Sequence, residues 1–443
     1  MYNSSMSLHT AQERHATYYL SVLREANKSF LHSGYSRQAG IESFGREAAN
    51  IRAGREWAVA CAERSEETAI IAFNYAAQAG NILLNCLANR EAVNWFEDGL
   101  GIARLLKNRN AELNPTQLLG LAAIDRGDYR QAIEFFDKTI QIAEEFDDVH
   151  SQAIGWHYLG RALVSAGAIE KAIECFERAR QMLCHLGKHQ EEGKVVSDLA
   201  LAYAKIQEVD RGIELLNLVL RKSREFKYRL DEADALGNLA IVYAKRKLFE
   251  KAKDCATEAR TTFRELGYRQ WEAQTLSHAA SFHAAMGEHV QAHELLGEAL
   301  ACYREIVDWD GECRALGLMG EAYWDSRDYL NAIKMFCQQQ TMAKDIGSLR
   351  SELSAMGNMG KVLVESGHFI PGTNLIKVAR RKAQESGNHE DEYTSLCALG
   401  NIYSDVGQPQ EAIAYFQQEV DLARLLQSVK KETHALNHLA DTH

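Results

Sequence analysis

Apolar positions along this chain keep a helical beat, and the beat itself recurs. In 153–165, AIGWHYLGRALVS, Trp156, Leu159 and Leu163 fall at i, i+3 and i+7, a single stripe on an α-helix. A second amphipathic stretch, IEKAIECFERARQMLCHL, follows over 169–186. Gly167 separates the two, as Gly127, Gly287, Gly367 and Gly407 do at the same phase, and glycine permits the tight turn between paired helices. Leu159-Gly160 recurs as Leu119-Gly120, Leu199-Ala200, Leu239-Ala240, Ala279-Ala280, Met319-Gly320, Met359-Gly360, Leu399-Gly400 and Leu439-Ala440, always in steps of 40. A small-residue series follows: Ala132, Ala172, Gly212, Ala252, Ala292, Ala332, Gly372, Ala412. Four residues later comes a third: Phe136, Phe176, Leu216, Ala256, Leu296, Phe336, Ile376, Phe416. Backwards, the register reaches Ala79-Gly80, Ala92 and Phe96, and then stops.

The pattern predicts helix hairpins, each too small to bury its apolar face alone and therefore stacked on its neighbours. Small residues at 160 and 172 let two axes approach while Phe176 fills the gap. Composition agrees. The chain has 3 prolines in 443 residues, under the usual share of about 5%, so helix can run almost end to end. A hydrophobic content of 46% excludes global disorder. Apolar runs fall short of the roughly 20 residues a bilayer requires, and the first twenty residues lack a secretory core. Nine scattered cysteines without a CxxC pair suit a reducing cytoplasm. The net charge of −11 argues against nucleic acid as the main partner.

The ends differ from the middle. Residues 1–69 do not repeat but read as a helical arm: helices over 13–26 and 46–62 around a polar connector near 33–45. The array proper is expected over 70–428, about nine units. Over 429–443, Leu436, Leu439 and Ala440 begin one more helix, which either caps the array or belongs to a truncated repeat.

Candidate chemistry is sparse. The sequence lacks GxxxxGK[ST], GxSxG, HExxH and a dinucleotide fingerprint; Gly187 to Gly193-Lys194-Val195 has the wrong spacing for a phosphate loop. Cys184-His185 are adjacent on a helix and cannot face each other as nucleophile and base. His289 and His293, one turn apart, could share a metal, as could His434 and His438. His283 occupies the phase of Tyr203 and Tyr243 and is expected in the core, and these histidines read as ordinary helix residues. No enzyme, cofactor or metal is expected. Arg221, Lys222, Arg224, Lys227 and Arg229, with Lys245, Arg246 and Lys247, read as a solvated basic rim or as a contact for an acidic partner.

Trp156-x2-Leu159-Gly160-x2-Leu163 followed by Ala172-x3-Phe176, with Tyr203, Tyr243, Tyr323 and Tyr403, resembles the tetratricopeptide repeat (TPR). Two features depart from it: the period is 40 rather than about 34, and the proline that usually ends the second helix is missing. The likeness is therefore to long-repeat TPR proteins, including Pins-type adaptors and bacterial regulators. Arg14-His15-Ala16-x-Tyr18-Tyr19-Leu20, Glu47-x2-Asn50-Ile51-Arg52-Ala53 and Trp57-Ala58 resemble the arm that joins the winged-helix part of bacterial STAND/NB-ARC-type ATPases to their C-terminal TPR sensor, and Phe263-Arg264-Glu265-Leu266-Gly267 resembles loops of those sensors. The resemblance implies an all-α, right-handed TPR-type superhelical solenoid of antiparallel helix pairs. Its function would be non-enzymatic recognition of a protein or peptide in a concave groove, as the sensor of a STAND-type signalling protein associated with a nucleotide-binding domain, or as a stand-alone scaffold bridging two proteins. Family geometry implies three sets of groove residues. Lys194, Asp234, Gln274, Arg314 and Thr394 form the first, His157, Asp198, Asn238, His278 and Asn358 the middle, and Arg161, Glu321, Lys361 and Asn401 the last.

Overall fold

A computed structural model of the chain describes residues 2–31, 35–87, 89–426 and 429–442. Among the described residues every regular element is a helix and no strand occurs. The first five are α1 (Tyr2–Leu31), α2 (Tyr35–Ala60), α3 (Glu66–Ala77), α4 (Gly80–Cys86) and α5 (Asn89–Leu105). Pairs then alternate, a first helix A and a second helix B: α6 (Leu113–Arg126) with α7 (Tyr129–Glu145), α8 (Val149–Ser165) with α9 (Ile169–His185), α10 (His189–Lys205) with α11 (Val209–Glu225), and α12 (Arg229–Lys245) with α13 (Phe249–Glu265). Next come α14 (Arg269–Ala285) with α15 (His289–Glu305), α16 (Trp309–Asp325) with α17 (Tyr329–Asp345), α18 (Leu349–Glu365) with α19 (Phe369–Glu385), and α20 (His389–Asp405) with α21 (Pro409–Leu425). A last A helix, α22 (Val429–Thr442), follows.

The phase comes from the turns. From α7 to α21 each helix has 17 residues and each turn three. The middle turn residue is left-handed, and this recurs every 20 residues from Lys107 to Gly407. Glycine holds nine of these sites; Lys107, Asp147, Gln207, Lys227, Lys247, Val307 and Arg327 hold the others. Two reversed hydrogen bonds close such a turn: Lys188 N donates to Leu183 O (3.0 Å) and Gly187 N to Cys184 O (3.1 Å). The glycine signal in the sequence thus marks only part of a stricter rule.

A and B helices lock through paired phases. A Cβ placed on Gly160 would lie 2.5 Å from Phe176 Cε1, and one on Gly120 or Gly320 would lie 2.6 Å from Phe136 or Phe336. Where the first phase holds alanine, as at Ala200, Ala240 and Ala280, the second holds Leu216, Ala256 and Leu296. Volume is traded across the hairpin. A further series was not read from the sequence. In the first turn of the A helices, Glu192, Glu272, Glu312, Glu352 and Glu392 are buried, as is Glu112 just before α6. They pair with neighbouring cations, as in Arg304 Nε–Glu312 (2.6 Å), Lys382 Nζ–Glu352 (2.6 Å) and Arg269 Nη1–Glu272 (2.6 Å). A carboxylate there also meets the positive end of the helix dipole.

The chain divides into two compact units. One holds residues 1–165, 169–235 and 262–268. Its core runs from Leu23, Ile51 and Tyr75 to Trp95, Phe96 and Leu118 in one cluster, with Phe136 and Phe176 at the centres of two others. Here α1 and α2 dock on the first repeat: Tyr75 OH donates to Ala16 O (2.7 Å) and Arg52 forks onto Glu91 (2.6 and 3.1 Å). The connector expected near 33–45 is shorter than predicted, because α2 already begins at Tyr35; residues 33 and 34 lie outside the described residues. The first A helix is broken into α3 and α4 at Gln78–Ala79. The other unit holds 166–168, 236–261 and 269–443. Its clusters centre on Leu276, Leu296 and Leu316, on Phe336, and on Phe416 with Leu399.

Candidate functional site

The polar residues of the A helices meet at a fixed sequence offset. In the first unit His150 Nε2 lies 2.5 Å from Glu191 Oε2, His157 Nε2 lies 2.7 Å from Asp198 Oδ2, and Gln190 Nε2 donates to Asp231 Oδ2 (3.2 Å). Each pair is 41 residues apart. In the second unit, Trp324 Nε1 donates to Glu365 Oε2 (2.7 Å), Lys431 pairs with Glu390, and Tyr393 OH lies 3.3 Å from His434 Nδ1, all at the same offset. One repeat plus one residue therefore brings the side chains of adjacent A helices face to face. An i, i+41 search of the sequence would have found this ladder.

In the first unit the structure brings together His157, Arg161, Lys194, Asp198 and Asp234. Arg161 Nε reaches within 4.0 Å of Asp198 Oδ2, and its guanidinium stands 5.6 Å from the Tyr158 ring centre. Asp234 keeps a partly open rim, yet loss of water pushes its carboxyl up to about 6, reinforced by Asp198 and Asp231 and opposed by Lys194. Such a carboxyl changes charge near neutral pH.

The second unit carries the other nine. Burial, then the Arg314 cation, depresses His278 to about 4, so its imidazole is neutral at physiological pH. Arg314 itself pairs with Asp310 one turn away. Asn358 Nδ2 donates to Glu321 Oε1 (3.2 Å). Burial and Asp325 raise the Glu321 carboxyl, while Asn358 and Lys361 oppose them. Gln274 is exposed and Asn238 half-buried. Thr394 and Asn401 turn to their own helix: the Thr394 hydroxyl donates to Glu390 O (3.0 Å), and the Asn401 amide lies 3.6 Å from Cys397 Sγ.

Other sequence candidates resolve individually. Three residues of the basic stretch are held in ion pairs: Lys222 with Glu192 (3.3 Å), Arg224 with Glu232 (2.7 Å) and Arg229 with Glu265 (2.7 Å). His283 is half-buried rather than core, its Nδ1 2.5 Å from Glu288. His293 stacks on Tyr323 with ring centres 4.2 Å apart. His434 and His438 are gathered with Cys397 and Glu419, their ligand atoms within 4.8 Å of one another, a grouping that sequence reading did not find.

Three stretches of the chain, 112–185, 273–308 and 395–430, match family models of the tetratricopeptide repeat. The chain carries tetratricopeptide repeats in these stretches, is all-α and built of paired helices, and TPR arrays are protein-interaction modules. Its solved neighbours are distant. It is similar to aspartyl phosphate phosphatase F from Bacillus subtilis (12% identity, 81% of this chain and 95% of that one, TM-score 0.48). It is also similar to the apo form of the quorum sensor NprR from B. thuringiensis (14%, 78% and 97%, TM-score 0.48). A third is PH0952 from Pyrococcus horikoshii, a STAND protein with a tetratricopeptide repeat sensor (14%, 94% and 65%, TM-score 0.44). No curated protein sequence matches the chain significantly. No helix among the described residues is long and apolar enough to cross a membrane.

Proposed function

We propose that this chain is a non-enzymatic recognition module that binds an extended peptide or protein segment along a concave groove lined by the A helices. The observation that carries this is the state of the lining: Asp234 and His278 lie outside the apolar core and are half-buried, yet each loses enough water to shift its protonation. Fully exposed helix faces hydrate such groups; a recessed, ladder-paired wall dries them and leaves hydrogen bonds that a ligand backbone can exchange for. Arg161, Lys194, Arg314 and Lys361 supply charge for a ligand's carboxylates. Asn238, Gln274, Asn358, Thr394 and Asn401 offer neutral donors and acceptors, with His157 and Asp198 beside them.

The likeness of 14–58 to the arm of STAND-type ATPases favours a sensor, with an arm over 1–69, an array over 70–428 and a terminal helix over 429–443. Nine scattered thiols favour a cytoplasmic setting. A second reading, a scaffold bridging two proteins, draws support from the two compact units, each with its own stretch of wall. A nucleotide-binding domain encoded in frame with this chain would favour the sensor over the scaffold. The groove is tested by selecting peptides from a displayed random library on the pure chain, then measuring them against a variant carrying Lys194→Glu, Arg314→Glu and Lys361→Glu. Binding should fall at least about tenfold, the equivalent of roughly 1.4 kcal/mol; selected peptides that bind both proteins equally would remove the groove from the account.

A further inference from the structure

Four potential ligands converge between the last three helices of the second unit. Cys397 lies on α20, Glu419 on α21, and His434 and His438 on α22. Glu419 stands apart by its charge. It is fully buried, and its Oε1 has no hydrogen-bond partner. At the same phase of earlier B helices the chain places Thr139, Ala179, Val219, Ala259, Ala299, Gln339 and Ala379, all buried and all uncharged, and Gln339 Oε1 likewise lacks a partner. A carboxylate inserted where every earlier repeat has an uncharged residue, with one oxygen making no hydrogen bond and two imidazoles and a thiol beside it, points to a cation.

The spacing supports an ion rather than simple pairing. His438 Nδ1 lies 3.4 Å from Glu419 Oε2 and His434 Nδ1 lies 3.6 Å from Oε1. These separations exceed the usual N–H···O range of about 2.7–3.2 Å. They are of the size of ligand–ligand separations in a tetrahedron with Zn–N, Zn–O and Zn–S bonds of 2.0–2.3 Å, about 3.3–3.6 Å. They run, however, to the two different Glu419 oxygens, of which a four-coordinate site would use one. The whole set, Cys397 Sγ included, falls within 4.8 Å, so closure asks side chains to move on the order of 1 Å. The outer contacts suit the role: Tyr393 OH donates to Lys431 O (3.1 Å), and His438 rests against the Phe416 ring at 5.0 Å between centres.

We propose that Cys397, Glu419, His434 and His438 form a structural zinc site that fastens α22 to the α20–α21 hairpin. On binding, Cys397 Sγ gives up its proton to solvent and becomes a thiolate ligand, so affinity rises with pH.

The repeats supply variants suited to the fold. Ser197 and Ser277 occupy the phase of Cys397, four alanines and Gln339 are among the residues at that of Glu419, Asn238 and Asn358 occupy that of His438, and Gln274 that of His434. The test takes the full chain, strips it with a chelator, and titrates it with zinc alone and with cobalt alone. The parent should bind one equivalent of zinc, show a thiolate-to-cobalt charge-transfer band, and unfold at a higher temperature as zinc increases. Cys397→Ser should lose the band, and Glu419→Ala and His438→Asn should each weaken zinc by more than the about 10–100-fold typical of outer-shell partners. Glu419→Ala without metal should be at least as stable as the stripped parent. Failure to take up one equivalent, a cobalt spectrum without the band, or variants that bind like the parent would overturn the site and leave a histidine–carboxylate cluster only. Peptide binding by the groove is read separately, so either proposal can fail alone.

Discussion

Gly160→Ala probes what sets the distance between paired helices. The added methyl would stand 2.5 Å from Phe176 Cε1 and 2.7 Å from Cδ1, where carbon atoms settle at about 3.5–4.0 Å. Phe176 is fully buried in a cluster with Ala153, Ala172, Ala179 and Leu183, so its ring has no route to solvent. The helices must part by something on the order of 1 Å, and overpacking of this kind costs about 1–3 kcal/mol. Phe176→Leu alone leaves a void worth about 1–2 kcal/mol. Together the two changes recreate the pairing of Ala200 with Leu216 and of Ala280 with Leu296. The double variant should therefore be more stable than the sum of the singles by about 1–2 kcal/mol. Urea unfolding followed by circular dichroism gives the totals, and hydrogen exchange over 153–183 localises them, since repeats open piecemeal. A Gly160→Ala chain within about 0.5 kcal/mol of the parent, or strictly additive singles, would refute the volume trade.

Two further substitutions test other features. Val307 is β-branched and left-handed (φ 56°) on an exposed turn, so Val307→Gly should stabilise by about 1 kcal/mol, seen as a raised melting temperature; an unchanged or lower value would mean the turn carries no strain. The raised carboxyl of Asp234 means the folded state holds its proton more tightly than the unfolded chain. Its contribution to stability is fully present below about pH 4 and is lost as pH rises through about 6. Asp234→Asn should accordingly match the parent near pH 4 and exceed it at pH 7 by about 1–2 kcal/mol, discounted for its open rim; equal stability at both pH values in denaturant melts would contradict the desolvation.

The repeat was legible because its core contacts are local. Leu-Gly, the small residue and the bulky residue all lie within one hairpin, so their 40-residue recurrence exposes the packing directly. The left-handed turns at Lys107, Lys227 or Val307 were hidden, since the turn geometry fixes the conformation there and those residue types do not announce it. The first-turn glutamates recur with the same period but are diluted among 61 acidic residues. The break at Gln78–Ala79 leaves no mark, because α4 keeps the Ala-Gly phase. In the candidate groove, the pairing of His157 with Asp198 needed the one-residue stagger between A helices. Glu419 looked ordinary until its uncharged counterparts and its distance to His438 could be compared.

The sixteen left-handed turns spaced 20 residues apart have a consequence for how such a chain can evolve. One residue inserted within a helix rotates everything beyond it by about 100° and moves every later core residue off its seam. Change in length is therefore tolerated only as whole bricks of 40, copied or deleted intact. Between those jumps, diversification falls to surface letters and to paired swaps such as glycine–phenylalanine for alanine–leucine.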